Sequence, residues 1–198
     1  MAKHDRAIPA SAAGIIGKRV LILGEVGSGK TFLASRLLKE LMTLFHPGEI
    51  TVIDMAPERI GGVGGKLTDH LNSTGKVRYL SPRRVYAPRI SGSSPDQVME
   101  YATFNRKVIE PLLEEFLQRT TRVLIMNDIT LYLHAGKLEI ILRCMRGAET
   151  SIATAYHGSK LVEDHGSGIS ARERQLVDEL ATHMDQVIEM NRCYNKIK

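Results

Sequence analysis

The stretch GEVGSGKT at residues 24–31 decides how the rest of this chain is interpreted. It fits the pattern G-x-x-x-x-G-K-[ST] at every fixed position, from Gly24 through Gly29 and Lys30 to Thr31. A phosphate chain needs several backbone N–H groups turned inward, and a glycine-rich loop bends tightly enough to present them. In such a loop the lysine reaches the β- and γ-phosphates of a nucleotide, and the hydroxyl ligates Mg²⁺. The stretch therefore predicts a cradle for nucleotide phosphates.

The segments on either side of this loop support that interpretation. Before it, RVLIL (19–23) is an apolar run typical of a buried strand. After it, leucines recur at helical spacing from Leu33 to Leu44, until HPG (46–48) ends the helix. The helix N-terminus then points at the phosphates and adds its dipole to their binding. We expect the nucleotide to contact the following residues: Gly24, Glu25, Val26, Gly27, Ser28, Gly29, Lys30, Thr31 and Phe32.

Composition is typical of an ordinary globular protein. The 198 residues are 43% hydrophobic and 25% charged, and no apolar run approaches the length of a membrane span. The first 18 residues lack the apolar core of a signal peptide. The two cysteines, Cys144 and Cys193, stand far apart and form no metal-ligand pattern, so we expect reduced thiols in a cytoplasmic protein. The net charge of +5 permits an acidic partner such as nucleic acid without requiring one.

Strand and helix patterns alternate along the rest of the chain. Further strands are predicted at 49–54, 121–130, 150–158 and 185–190. Further helices are predicted at 136–146 and after two capping patterns, SPDQ (94–97) and Ser170-x-x-Glu173. Pro111 lies inside the first of the capped helices and predicts a kink or a short break. The alternation predicts a single domain over 1–198 with a three-layer α/β/α fold and a mostly parallel sheet of about five core strands.

Two segments between the strands stand out. Residues 55–76 are glycine-rich and contain GGVGGKL, which has Ile60 where a second phosphate loop requires glycine, so we interpret it as a loop near the site. The stretch KVRYLSPRRVYAPR (76–89) predicts two short strands, as a basic hairpin inserted at 76–92. It interleaves Arg78, Arg83, Arg84 and Arg89 with Tyr79 and Tyr86. This combination suits binding of a nucleic-acid backbone with base stacking, although a solvated surface is the more common origin of such a pattern.

The apolar run VLIM (123–126) is followed by two polar residues, Asn127 and Asp128. Together with the phosphate loop, it resembles a P-loop NTPase of the additional-strand class, in which Asp-Glu follows four apolar residues. In that family the first acid holds a water on Mg²⁺ and the second polarises the attacking water. The resemblance implies that Asn127 takes the metal-side place and Asp128 the catalytic place. Alternatively, Asp128 joins Thr31 at the metal and another group activates the water. Because Asn is neutral, the departure implies weaker Mg²⁺ binding or slow hydrolysis.

A later stretch is similar to the HerA/FtsK-type branch of that class, in which an arginine and a glycine precede a strand that ends in ATQ. Here Arg146-Gly147 and Ala153-Thr154 match, whereas Ala155 holds the Gln place. The resemblance implies that Tyr156 or His157 senses the γ-phosphate. It also implies a homo-oligomer in which Arg146 completes a neighbouring subunit's site. Alternatively, Arg146 bonds the carbonyls at its helix end or pairs with Glu149.

These features favour an ATPase that binds ATP and Mg²⁺ at 24–31 and couples hydrolysis to a partner or nucleic acid. The alternative is a nucleotide or small-metabolite kinase, with its acceptor near Asp54 and the loop at 55–66, and with Arg172 and Arg174 as a lid on the phosphates. A third class is a binding module that holds ATP without turnover, which Asn127 favours. ATP is the default of the family that the chain resembles, and no guanine-reading Asn-Lys-x-Asp motif occurs.

Overall fold

The structure is a computed structural model that describes residues 11–58, 65–71 and 77–190. One sheet contains six strands, namely β1 (Arg19–Gly24), β2 (Ile50–Asp54), β3 (Arg78–Leu80), β4 (Val123–Asn127), β5 (Thr150–Tyr156) and β6 (Gln186–Met190). Their order is β3-β2-β4-β5-β1-β6, and every pairing in this sheet is parallel. The predicted α/β fold is confirmed, with six strands where about five were expected.

Helices cover both faces of this sheet. They are α1 (Lys30–Leu44), α2 (Pro88–Ser91), α3 (Pro95–Gln118), α4 (Thr130–Leu133), α5 (Leu138–Arg146) and α6 (Ile169–Thr182), with 3₁₀ turns at Ala12–Ile15, Pro47–Glu49 and Leu67–His70. Successive residues of a strand point to opposite faces, so Val20 and Ile22 of β1 pack in a cluster with α1. Leu21 belongs to a second cluster, with α3, α5 and α6. The sheet therefore lies between two helical layers, as predicted.

The register brings the polar ends of the strands to one edge. At the carboxyl end of β1, Gly24 lies opposite Tyr156 of β5. At the end of β2, Asp54 lies opposite Asn127 of β4. In an open parallel sheet this edge is where ligands bind, because the loops that leave it diverge to either side.

One helix interior and one helix start differ from the prediction. Helix α3 runs without a break through Pro111, which lies on its exposed side, where water can bond the carbonyl that proline leaves unpaired. At its start Ser94 accepts a hydrogen bond from the Gln97 backbone N–H at 3.3 Å, as expected of a cap. The pattern Ser170-x-x-Glu173 is not a capping box, because α6 begins one residue before Ser170, after a left-handed Gly168.

No hairpin forms after β3 in residues 81–92, all of which the structure describes. The strand spans only three residues, and the backbone N–H and carbonyl of Tyr86 bond instead to the side chain of Asn105 on α3, both at 2.9 Å. Because a buried amide satisfies this backbone, no partner strand is needed. The predicted second strand is therefore wrong, and a short helix, α2, begins at Pro88.

The basic and aromatic residues of the predicted hairpin have mostly internal partners. Arg78 donates to the Glu115 carboxylate at 2.8 Å. The ring of Tyr86 is stacked on Tyr101 at a centroid distance of 4.2 Å, and the Arg84 guanidinium lies 4.5 Å from the Tyr86 centroid. Since both sides of this ring are in contact with the protein, Tyr86 is not a free platform for bases.

The structure also bears on the predictions about membrane spans and cysteines. Within 11–58, 65–71 and 77–190, no helix is long and apolar enough to cross a membrane. Cys144 is a free, buried thiol, and burial raises its pKa to about 12. Cys193 and the Ile60 position of GGVGGKL lie outside the described residues.

Candidate nucleotide-binding site

The phosphate loop connects β1 to α1 as predicted. Gly24 ends the strand, and a Cβ atom there would lie 2.7 Å from both the Met190 carbonyl and the Ser28 hydroxyl, so only glycine fits. Lys30 opens the helix, and its Nζ donates to the carbonyls of Gly24 and Glu25, both at 2.8 Å. Burial lowers the pKa of Lys30. Among the described residues, this partly buried ammonium bonds only loop carbonyls, and it is well placed to exchange them for phosphate oxygens.

Glu25 ties this loop to the segment that follows β5. Its Oε1 accepts hydrogen bonds from the Tyr156 hydroxyl at 3.2 Å and from the backbone N–H groups of Ser159 and Lys160. Burial alone would raise the pKa of Glu25, but the bonds from Lys160 and Ser159 lower it below the ordinary value. Gly158 leaves room for this carboxylate, because a Cβ atom there would overlap it. Glu25 is therefore a structural residue of the loop.

A cavity of about 370 Å³ opens above the loop at the carboxyl edge of the sheet. Of the predicted nucleotide-binding residues, 26–32 line it, whereas Gly24 and Glu25 do not. Phe32 at its mouth is 59% exposed, and the edge of the His70 ring contacts it at a centroid distance of 5.8 Å. The volume is in the usual range for small-ligand sites.

Asn127 uses its whole hydrogen-bonding capacity within the protein. Its Oδ1 accepts from the hydroxyls of Thr154 at 2.9 Å and Thr31 at 3.4 Å. Its Nδ2 donates to the Asp54 carboxylate at 2.9 Å and to the Gly65 carbonyl at 3.4 Å. Asn127 thus lies beside the hydroxyl of Thr31, on the side where the resemblance places the metal.

Asp54 explains why residue 127 is an asparagine. Its carboxylate is buried and accepts from the Leu67 backbone N–H at 2.7 Å, from the Ala56 N–H at 3.2 Å and from the Tyr79 hydroxyl. Burial and the Asp54 charge raise the pKa of Tyr79, which therefore stays a neutral donor. An aspartate at 127 would set a second carboxylate against the first, and like charges at this distance repel strongly.

Restoring the family's acid by Asn127→Asp is therefore expected to destabilise the fold. We expect the free energy of unfolding to fall by about 3 kcal/mol, the order of a buried charge without its partner, as measured by urea denaturation. Adding Asp54→Asn leaves one carboxylate and one amide in the pair, and should recover at least half of the loss. An Asn127→Asp protein with wild-type stability and faster ATP turnover would contradict this explanation.

Asp128 follows Asn127 in the left-handed region, at φ 57°, which is uncommon for a residue other than glycine. Its backbone N–H donates to the Thr154 hydroxyl at 2.8 Å, and its Oδ1 accepts from Thr130 at 2.7 Å. Burial raises the pKa of Asp128, whereas the hydrogen bond from Thr130 and the charge of Lys30 lower it. Within the part of the chain that the structure describes, Asp128 is the only carboxylate that lines the cavity.

The two other predicted catalytic residues lie away from the cavity of this chain. Tyr156 lines it, but the His157 imidazole is turned to Asp178 of α6, with its Nε2 3.1 Å from the carboxylate. Arg146 is exposed at the end of α5, where β5 begins. The seven residues of β5 put it about 20 Å from the carboxyl edge. Glu149 bonds Arg122 at 2.8 Å, and among the described residues it forms no ion pair with Arg146, the partner that one alternative gave it.

The two arginines proposed as the lid of a kinase bond to backbone carbonyls outside the cavity. Arg172 donates to the carbonyls of Leu133 at 3.1 Å and Gly136 at 2.6 Å. Arg174 donates to the Gly158 carbonyl at 2.7 Å. Neither arginine lines the cavity, and the Asp54 carboxylate accepts from protein donors. Residues 59–64 of the loop proposed for the acceptor lie outside the described residues.

Three buried side chains beside the cavity were not predicted as a site. Arg89 forms a two-pronged ion pair with Glu173, which also bonds His134. Their spacing along the chain follows no motif, and the patterns around them predicted a surface hairpin and a helix cap instead. Only the packing of α2, α4 and α6 brings them together.

The donors present fit Mg²⁺ bound with a nucleotide. In the described part of the chain, no group of three or more His, Cys, Asp or Glu side chains could hold a metal ion by itself. Mg²⁺ usually takes one or two protein ligands together with substrate phosphates and water. The Thr31 hydroxyl and the Asp128 carboxylate, both on the cavity wall, are donors of the kind that Mg²⁺ accepts.

Comparison with known proteins identifies a family for this chain. The model described as "Helicase HerA, central domain" matches residues 5–143, well over half of the chain. No curated protein sequence matches. Among solved structures, the flagellar accessory protein FlaH from Methanocaldococcus jannaschii aligns with a TM-score of 0.49 and 13% identity, over 88% of this chain and 71% of that one. The Pif1 helicase from Candida albicans aligns with a TM-score of 0.37 and 13% identity, over 93% of this chain and 39% of that one.

Proposed function

The chain belongs to the family of the HerA helicase central domain, and from this premise we propose that it is a Mg²⁺-dependent ATP hydrolase that works on a partner or nucleic acid. One observation carries the proposal. Lys30 at the end of β1 and Asp128 at the end of β4 line the same cavity, and the charge of each affects the pKa of the other. Hydrolysis of this kind requires at least a cation that binds the phosphates and a carboxylate that orients the attacking water.

In the proposed reaction each residue of the site has a separate role. Lys30 leaves the loop carbonyls and binds phosphate oxygens, and the Thr31 hydroxyl provides the protein ligand for Mg²⁺, which neutralises phosphate charge when bound. Asp128 orients a water molecule and accepts its proton, and a raised pKa makes the carboxylate a stronger base. Asn127 holds Thr31 and Thr154 in place. Tyr156 on the cavity wall links the state of the site to Glu25 of the loop.

Hydrolysis is better supported than transfer to a small acceptor. The arginines that would clamp the phosphates of an acceptor bond to backbone carbonyls instead. The test measures phosphate release from ATP by the purified chain with no acceptor, with and without EDTA. Mg²⁺-dependent release supports a hydrolase. Tight ATP binding without release indicates a binding module, and release only when a hydroxyl acceptor is added indicates a kinase.

A homo-oligomer is part of the proposal. Because Arg146 lies at the sheet edge opposite its own phosphate loop, it can serve catalysis only across an interface between subunits. An arginine supplied in this way can stabilise the charge of the transferring phosphoryl group.

For nucleic acid, the exposed arginines of the segment after β3 are the first surface to test. Only Arg83 and Arg84 of its four arginines are exposed. If they contact phosphates, the double variant Arg83→Ala/Arg84→Ala should flatten the slope of log K against log salt by roughly two units. The measurement is fluorescence anisotropy with labelled DNA over a salt series. Lys107→Ala/Arg143→Ala removes two exposed charges from α3 and α5 and is the matched control. An equal change in both variants would contradict a contact at Arg83 and Arg84.

A further inference from the structure

A buried cluster of an arginine, a glutamate and a histidine lies at the cavity wall. The Arg89 guanidinium donates to both oxygens of Glu173, at 2.9 and 3.0 Å, and His134 Nε2 lies 2.7 Å from the same carboxylate. Their side chains are only 7%, 4% and 1% exposed, in the order Arg89, Glu173 and His134. The three residues come from α2, α6 and the end of α4, so tertiary packing alone creates the cluster.

The cluster has a defined orientation towards the cavity. Arg89 and His134 line the nucleotide cavity, whereas Glu173 does not and lines a smaller neighbouring cavity. The carboxylate therefore lies behind two nitrogen-bearing side chains. A carboxylate in that place fixes the orientation of the groups in front of it, as outer partners do in metal and anion sites.

Stability does not explain this arrangement well. A buried ion pair contributes little to folding, because desolvation of both charges offsets their attraction. The structure also leaves donor capacity unused, since the Nε–H of Arg89 has no acceptor among the described residues. A guanidinium held in place with free N–H groups is suited to an anionic ligand with several oxygens.

Two observations put the cluster on the side of the cavity where Asp128 lies and connect it to the phosphate loop. His134 directly follows α4, which begins two residues after Asp128, and the side chains of both residues line the cavity. The Arg89 guanidinium lies 5.1 Å from the centroid of the Tyr156 ring, whose hydroxyl bonds Glu25 of the loop. A nucleotide held by Lys30 with its last phosphate towards Asp128 would extend into this region.

We propose that Arg89, oriented by Glu173 and flanked by His134, binds the terminal phosphate of a nucleoside triphosphate within the same chain and thereby distinguishes triphosphate from diphosphate. This inference rests on the proposed function, because it requires a nucleotide in the cavity. It assigns Arg89 as a specificity-determining residue and Glu173 as a positioning residue, neither of which belongs to the phosphate loop or to the Asn127-Asp128 pair.

The test compares affinities for the non-hydrolysable triphosphate AMPPNP and for ADP, by isothermal titration calorimetry with Mg²⁺. The variant Arg89→Gln/Glu173→Gln removes both charges together, so that no unpaired charge remains buried. Affinity for AMPPNP should fall about tenfold to a hundredfold, the usual effect of losing a charge-assisted contact, while ADP changes less than about twofold. Arg78→Gln/Glu115→Gln removes an ion pair of the same composition far from the cavity, and should change neither value.

A second variant keeps the inference testable if the double variant unfolds. Arg89→Lys retains a cation against Glu173 but loses the planar fork, and should weaken AMPPNP binding more than ADP binding. An unchanged ratio of the two affinities in a folded variant of either kind would overturn the inference while leaving the proposed function intact. If the wild-type chain binds neither nucleotide, the proposed function fails, and the inference fails with it.

Discussion

Replacing Lys30 by alanine is expected to lower affinity for Mg²⁺-ATP at least about a thousandfold and to abolish hydrolysis, while the fold is retained. The effect should be large because the partly buried Lys30 lines the cavity at the phosphate loop, and alanine leaves no charged donor in its place. Within the described part of the chain, its hydrogen bonds are to the carbonyls of Gly24 and Glu25, which belong to the loop and not to the apolar core.

Calorimetry with Mg²⁺-ATP measures this loss, and circular dichroism establishes that the thermal transition remains. Lys39→Ala is the matched control, because Lys39 lies on the same helix but is exposed. It should leave both affinity and turnover unchanged. ATP affinity and activity at the wild-type level in Lys30→Ala would refute the assignment of the nucleotide site itself.

The second large effect is expected for Asp128→Asn, which should reduce the hydrolysis rate by about 10²- to 10⁴-fold and leave ATP affinity within a few-fold. The amide has the shape of the carboxylate and can still accept from Thr130, but it cannot take a proton from water. No other carboxylate among the described residues lines the cavity, so none is at hand to replace it.

Steady-state phosphate release and calorimetry on the same protein separate these two quantities. Asp178→Asn is the control. It makes the same change of carboxylate to amide, but Asp178 bonds His157 and does not line the cavity. A greater loss of turnover in Asn127→Ala than in Asp128→Asn would show that the roles of the two strand-end residues are reversed. Full activity in Asp128→Asn would mean that another group activates the water.

Prediction succeeded where the decisive residues are close together in the chain. The loop 24–31, the strand before it and the helix after it form one continuous segment, and the periodic spacing of apolar residues needs no distant partner to be recognised. The parallel sheet follows from the alternation of such segments, because consecutive parallel strands require a crossover.

Prediction failed where a distant side chain satisfies the backbone. The arginines and tyrosines after β3 have the pattern of a hairpin, yet Asn105, nineteen residues beyond Tyr86, bonds that backbone and removes the need for a second strand. In the same way Ser170 and Glu173 match a capping box, but Glu173 is drawn into the interior by Arg89 and His134. A local sequence pattern contains no information about distant side chains that replace the local hydrogen-bond partners.

The amino-acid sequence alone determined the phosphate loop, the layered α/β fold and the identity of the strand-end pair Asn127 and Asp128, since each depends on residues that are neighbours along the chain. Only the tertiary structure decided which partners those residues contact. It set Asn127 against Asp54, 73 positions away, which makes an amide the compatible partner, and it left Asp128 facing the cavity. It also placed Arg89 in front of Glu173, because three helices far apart in the chain pack against one edge of the sheet. Chemistry at a site depends on distances in space, and the sequence records only distances along the chain.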